Sequence, residues 1–158
     1  DRVPLGYYRT KLAVERLVEE AGLGWTVLRT TQFHDLVVRL LQGLAMPPVM
    51  LVPAKVADQP VEVREVADRL AELAAGEPAG RVPDLGGPQV RGFESLARAY
   101  LAATGRRRAV VNVPLAGKTY RAFRSGGHLT PERALGKGTF EEYLTARFGR
   151  GAGAGRRD

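Results

Sequence analysis

Cysteine is absent from the 158 residues of this chain. That excludes disulfides, zinc–thiolate sites and thiol nucleophiles. Long hydrophobic runs are absent too: none approaches the roughly 20 residues a membrane-crossing helix needs. The start of the chain is polar and lacks the apolar stretch of a signal peptide. These absences predict a cytoplasmic protein with no membrane partner. Acidic residues are in deficit: 17 Asp and Glu face 24 Lys and Arg, for a formal charge of +7. Such a balance invites a nucleic-acid reading, but its distribution argues against one. The basic side chains are scattered, apart from Arg106, Arg107, Arg108 and the tail. Arginine far outnumbers lysine and accompanies abundant Ala, Gly and Pro, which reads as compositional drift. The arginine triplet reads as a solvated loop between a helix and a strand.

What is present is a soluble-domain composition, 44% hydrophobic and 26% charged. Residues 150–158 are Gly-rich and read as a disordered tail. Residues 1–149 then form one domain with a substantial core. Residues 7–21 carry apolar positions at helical spacing and are stopped by Gly22 and Gly24. The stretch "WTVLRT" (25–30) is short, β-branched and nearly continuously apolar, as in a parallel strand buried on both faces. A helix follows, with Phe33, Leu36, Val37, Leu40, Leu41 and Leu44 on one face, ended by Pro47 and Pro48.

Further on, 49–53 reads as a strand, 59–63 as extended, and the residues after it as an amphipathic helix facing inward through Val66, Ala67, Leu70, Leu73 and Ala74. Another helix presents Phe93, Leu96, Ala97, Tyr100 and Leu101, and a strand covers 109–114. Residues 118–127 read as a short helix or irregular segment. Thr139 and Glu142 are spaced as a capping box for a last helix. Strands alternating with helices predict an α/β fold.

One motif carries chemistry. Tyr7 and Lys11 are four residues apart, on one side of the first helix and one turn from each other. A phenol is ordinarily a poor acid or base at neutral pH, and an ammonium beside it favours its ionised form. Such a pair suits proton transfer at a carbonyl or hydroxyl. The spacing alone also fits two surface residues of an amphipathic helix.

The surrounding residues add to this. "YYRTKLAVERLVEEAGLGWTVLRTTQF" (7–33) resembles the short-chain dehydrogenase/reductase superfamily, most closely its atypical, NmrA-like, NAD(P)-binding branch. "QPVEVREVADRLAEL" (59–73) and "GTFEEYLTARFG" (138–149) continue the resemblance, which covers most of residues 4–149. It implies NAD or NADP as cofactor, a small-molecule substrate, and hydride transfer at a carbonyl or alcohol. Tyr7 would be the general acid/base. Lys11 would support it and bond the nicotinamide ribose. Thr31, Gln32 and Phe33 would pass close to the nicotinamide, and His34 could face the substrate.

The family's Gly-rich pyrophosphate turn is not found. Gly86, Gly87 and Gly92 have the wrong spacing, and "GKTY" (117–120) lacks the glycine that a phosphate loop requires five residues earlier. The expectation is therefore the C-terminal part of a Rossmann-like doubly wound parallel sheet with a small substrate lobe, its N-terminal dinucleotide-binding half absent. Such a piece would expose an apolar edge and face, and would aggregate, form a homo-oligomer or require the missing half. Two other functions fit the sequence: a non-catalytic NAD(P)-binding redox-sensing regulator, and, more remotely, a basic nucleic-acid-associated module.

Overall fold

The computed structural model describes residues 3–45 and 48–149. Pro47, the expected terminator of the second helix, and the tail at 150–158 lie outside them. Along the chain run α1 (Gly6–Glu20), β1 (Thr26–Val27), α2 (His34–Leu44), β2 (Val49–Pro53), β3 (Ala57–Asp58), α3 (Val63–Ala74), β4 (Gly80–Arg81), β5 (Arg91–Gly92), α4 (Phe93–Ala103), β6 (Ala109–Val113), α5 (Lys118–Arg124), a 3-10 turn at Pro131–Arg133 and α6 (Phe140–Phe148). The α/β class read from the sequence is the observed one.

β1 pairs in parallel with β4, Thr26 opposite Gly80 and Val27 opposite Arg81, and the pairing resumes at Thr30 and Leu85. Val61 pairs in parallel with Phe33 further along. Helices flank this pair on opposite faces. Arg29 reaches Glu15 of α1 through two hydrogen bonds of 2.9 and 3.0 Å from its Nε. The next side chain back, Leu28, packs with Val61, Val66 of α3 and Leu85. Successive strand residues point to opposite faces, so α1 and α3 sandwich the strand in the doubly wound manner. β1 was expected to be buried on both faces, yet residues 25–30 are only half-buried.

A second parallel pair, β2 with β6, runs in register from Val49 opposite Ala109 to Pro53 opposite Val113. Here the period-2 rule is plain: Met50 and Val52 are buried while Val49 and Leu51 are exposed. α4 covers the inner face with all five residues read from the sequence: Phe93, Leu96, Ala97, Tyr100 and Leu101 are each buried. α2 and α6 complete this core through Val37, Val38, Leu41, Phe140 and Leu144. Each such side chain removed from water contributes about 1.5–3 kcal/mol before entropy is counted.

Two expected faces are corrected. α2 buries His34, Val37, Val38 and Leu41, while Leu36 and Leu40 are 46% and 47% exposed. A helix with Leu and Val nearly all round offers two overlapping stripes, and packing against α6 selects the one beginning at His34. In α3 only Val66 is buried, and Leu70 is 49% exposed. The capping box of α6 forms as read: Thr139 Oγ1 accepts from the Glu142 N–H, and Glu142 reaches back to the Thr139 N–H at 2.8 Å.

Candidate functional site

The site is built where α1 lies along the strand at 25–33. α1 is flanked by Leu5, an N-cap with no side-chain hydrogen bond, and by Ala21 at its C-cap, and Gly22, at φ +68°, turns the chain back toward β1. Its half-buried positions are Tyr8, Leu12 and Glu15, spaced i, i+4, i+7. The neighbouring stripe, Tyr7, Lys11, Val14 and Val18, is exposed. Tyr7 is 63% exposed, and the Lys11 ammonium sits 5.7 Å from the centroid of its ring. The structure thus brings the two residues together, with the cation over the ring face.

The adjacent phenol is held differently. Tyr8 is half-buried, and its hydroxyl accepts a 3.1 Å hydrogen bond from Gln32 Nε2. Burial raises its pKa, the Gln32 bond pulls the other way, and Asp58 and Tyr7 add to the rise. Gln32 Oε1 is buried with no partner. Thr31, also buried, accepts from the Gly87 N–H at 3.1 Å. Phe33 is 36% exposed and stands at the N-cap of α2. Thr31, Gln32 and Phe33 therefore line the end of the strand beside α1, with only Gln32 touching it through a hydrogen bond.

His34 lies apart from this surface. It is 1% exposed, stacked 5.0 Å from the Tyr143 ring, and its Nε2 donates to the Gly138 carbonyl at 3.2 Å. Burial lowers its pKa, with the Gly138 bond opposing. Tyr143 in turn donates to Asp35 at 2.7 Å, and Arg147 pairs with the same carboxylate. In this geometry His34 anchors α6 to α2, and no open side of its ring faces a cleft.

Behind the strand ends is a close-packed polar knot that the sequence reading did not find. Gln59, wholly buried, donates to the Gly87 and Thr130 carbonyls at 2.9 and 3.2 Å and accepts from the Thr130 N–H at 2.9 Å. Gly86 and Gly87 are required by this contact. A Cβ on Gly87 would lie 1.8 Å from the Pro60 carbonyl oxygen, and one on Gly86 would lie 2.5 Å from Gln59 Nε2. Beside them Asp58 is buried, accepting a 2.7 Å bond from the Gln59 N–H. Burial pushes its carboxyl up to about 7, against the pull of that bond. The sequence held one signal for this knot: polar Asp58 and Gln59 directly precede Pro60, between apolar Val56 and Ala57 on one side and Val61 on the other. Tyr8 was hidden by its neighbour, because only Tyr7 has a lysine four residues on.

Among the described residues, the polar groups left without a partner at this end of the strand include the buried Gln32 Oε1, while the Thr31 N–H is taken by the Leu85 carbonyl. Nothing described fits a pyrophosphate cradle, since the space at Gly86 and Gly87 is filled by Pro60 and Gln59.

No family model matches the sequence. No curated protein matches it either. Solved structures do resemble the fold. An NADPH-dependent quinone oxidoreductase from Escherichia coli superposes with a TM-score of 0.73 at 15% identity, over 92% of this chain and 63% of its own. A nucleoside-diphosphate-sugar epimerase from Staphylococcus aureus gives 0.61 at 14% identity, over 84% and 56%. A UDP-glucose 4-epimerase from Stenotrophomonas maltophila, solved with NAD and formylated UDP-arabinopyranose, gives 0.60 at 17%, over 92% and 55%. The chain thus spans 55% to 63% of the length of these structures, and what it shares with them is the Rossmann-like α/β fold.

Proposed function

We propose that this chain is part of an NAD(P)-dependent oxidoreductase of the atypical, NmrA-like short-chain type, acting on a small carbonyl or alcohol substrate. The observation that carries the reading is the placement of the Tyr7 and Lys11 pair. It lies on the helix that leads into the strand whose far end presents Thr31, Gln32 and an unpartnered buried oxygen. The fold shared with an NADPH-dependent quinone oxidoreductase and NAD-containing epimerases supports it, as does the sequence resemblance over residues 7–33.

Lys11 would hydrogen-bond the nicotinamide ribose, and Thr31, Gln32 and Phe33 would border the ring. The cofactor, NAD or NADP, supplies or accepts the hydride. The Tyr7 hydroxyl gives a proton to the substrate oxygen on reduction and takes it back on oxidation, and the Lys11 ammonium steadies the resulting phenolate. Tyr8 holds the Gln32 side chain at the end of α1. His34 serves by fixing the start of α2, which sets where Phe33 stands.

The exposure of Tyr7 favours keeping a second reading, a non-catalytic NAD(P)-binding redox sensor that signals through a partner. Replacing Tyr7 by Phe separates the two. An enzyme loses about 10²–10⁴-fold in kcat while cofactor affinity stays within about twofold. A sensor shows no turnover to lose and keeps its cofactor-dependent partner binding. Unchanged kcat in Tyr7→Phe would end the catalytic assignment.

A further inference from the structure

The turn between α4 and β6 carries a cluster of charge that the fold itself does not use. α4 closes on Gly105, at φ +64°, and the chain enters β6 at Ala109, opposite Val49. Only Arg106, Arg107 and Arg108 lie between, so the triplet is tied at both ends. The last carbonyls of α4 are already taken. Tyr100 accepts from the Thr104 N–H at 3.0 Å, Leu101 from the Arg106 N–H at 3.0 Å and Ala102 from the Gly105 N–H at 3.2 Å. The helix end therefore needs no guanidinium to cap it. The other end of β6 leads to α5, where Thr119 Oγ1 donates to the Pro4 carbonyl at 3.4 Å, just ahead of α1. The arginines thus stand at the opposite end of this strand from the helix that carries Tyr7 and Lys11.

Arg106, Arg107 and Arg108 are exposed, and among the described residues none of them reaches a carboxylate. Arg29, Arg91 and Arg147 each do. With Arg98 of α4, the triplet surrounds an open concavity of about 580 Å³, floored by Leu101 and Val110. Arg98 is the one member with a counter-charge: its Nε and Nη2 reach Glu94 Oε1 at 3.1 and 2.7 Å. Glu94 is shared in turn with the Asn112 side chain. No acidic residue lines the concavity among the described residues. Guanidinium groups gathered around one space repel one another, and an anion seated between them removes that cost.

Charge and shape select the class of anion. A guanidinium presents a planar fork of N–H donors that matches the oxygens of a phosphate. Linked phosphates bring several negative charges into a space of this size, whereas an acidic peptide spreads them along its backbone. A nucleic-acid strand would follow a continuous basic groove and stack its bases on aromatic rings; no aromatic side chain lines this concavity among the described residues. We propose that Arg98, Arg106, Arg107 and Arg108 form a binding site for a small molecule carrying two or more linked phosphates, with Leu101 and Val110 beneath its less polar part. The site does not depend on the oxidoreductase reading.

The probe is inorganic tripolyphosphate, titrated into the 158-residue chain by calorimetry, with amide and arginine Nε–H signals followed by NMR. Saturable binding should shift the signals of residues 98–110, and orthophosphate should bind more weakly. The double variant Arg106→Gln, Arg108→Gln should weaken tripolyphosphate binding at least about tenfold, because two charge-assisted contacts are lost. The control, Arg16→Gln with Arg64→Gln, removes the same charge from exposed positions on α1 and α3 and should change affinity less than about twofold. All four side chains are exposed, and both double variants should unfold at the temperature of the parent chain. Equal weakening in the two double variants, shifts confined to residues outside 98–110, or no saturation would each overturn the proposal. So would a short thymidine oligonucleotide that binds more tightly than tripolyphosphate, which would mark the arginines as a nucleic-acid surface.

Discussion

α4 and α1 are both amphipathic helices on parallel strand pairs, and they end in opposite conditions. α4 buries five of its 11 residues against β2, β6 and α6. α1 buries none of 15. An apolar stripe states only that a helix has a face to cover; whether the face is covered depends on which strands and helices are at hand. The lobe around α4 has its full set of layers. The region around α1 has one layer and half a sheet.

Leu96, fully buried in α4, should cost about 2–5 kcal/mol when replaced by alanine, measured by urea denaturation. Leu17→Ala on α1 should cost less than about 0.5 kcal/mol in the same assay. Equal losses would mean that α1 is covered in solution.

The knot between the two regions comes next. Gly87→Ala drives a Cβ into the Pro60 carbonyl and should cost on the order of 3 kcal/mol, since backbone rather than a flexible side chain must yield. A loss under about 1 kcal/mol would show that the knot gives way easily and that the two regions are only loosely joined.

Asp58, in that knot, gives a pH-dependent test. Its carboxyl is raised from 3.8 to about 7 in the folded chain. Below pH ~4 both folded and unfolded chains hold the proton, and there is no penalty. From there to about pH 7 the unfolded chain ionises and the folded one does not, so stability falls as pH rises. Asp58→Asn removes this slope while keeping an acceptor for the Gln59 N–H. The variant should gain little at pH 4 and up to about 4 kcal/mol at pH 8, read from denaturation midpoints. His34 and His128 slope the other way, because burial lowers both and folding then loses stability as pH falls through about 6.5. A modest effect is expected at the cap of α6, where Thr139→Ala should cost about 1 kcal/mol without disturbing α1.

Much of the lobe was legible in advance. The five inward residues of α4, the strands read at 49–53 and 109–114, the second observed at Ala109–Val113, and the Thr139 and Glu142 cap follow from period and spacing, which are local properties. The α2 face was misread because Leu36, Val37, Leu40 and Leu41 fit two stripes, and only contact with Tyr143 and Phe140 chooses between them. At the candidate site, the sequence paired Tyr7 with Lys11 by spacing. It could not show that Tyr8 would turn inward to Gln32, or that Asp58 and Gln59 would be buried. Those outcomes depend on partners 24 and 71 residues away along the chain.

By itself, the sequence determined the α/β alternation, the helix ends and the placing of a phenol one turn from a cation. These are set by backbone dihedrals and side-chain order, and they hold wherever the chain is placed. The tertiary structure alone decided which apolar faces are covered, which polar groups lose water and which glycines cannot carry a Cβ. Burial is a relation between segments distant in sequence, and no local pattern encodes what will lie on the other side.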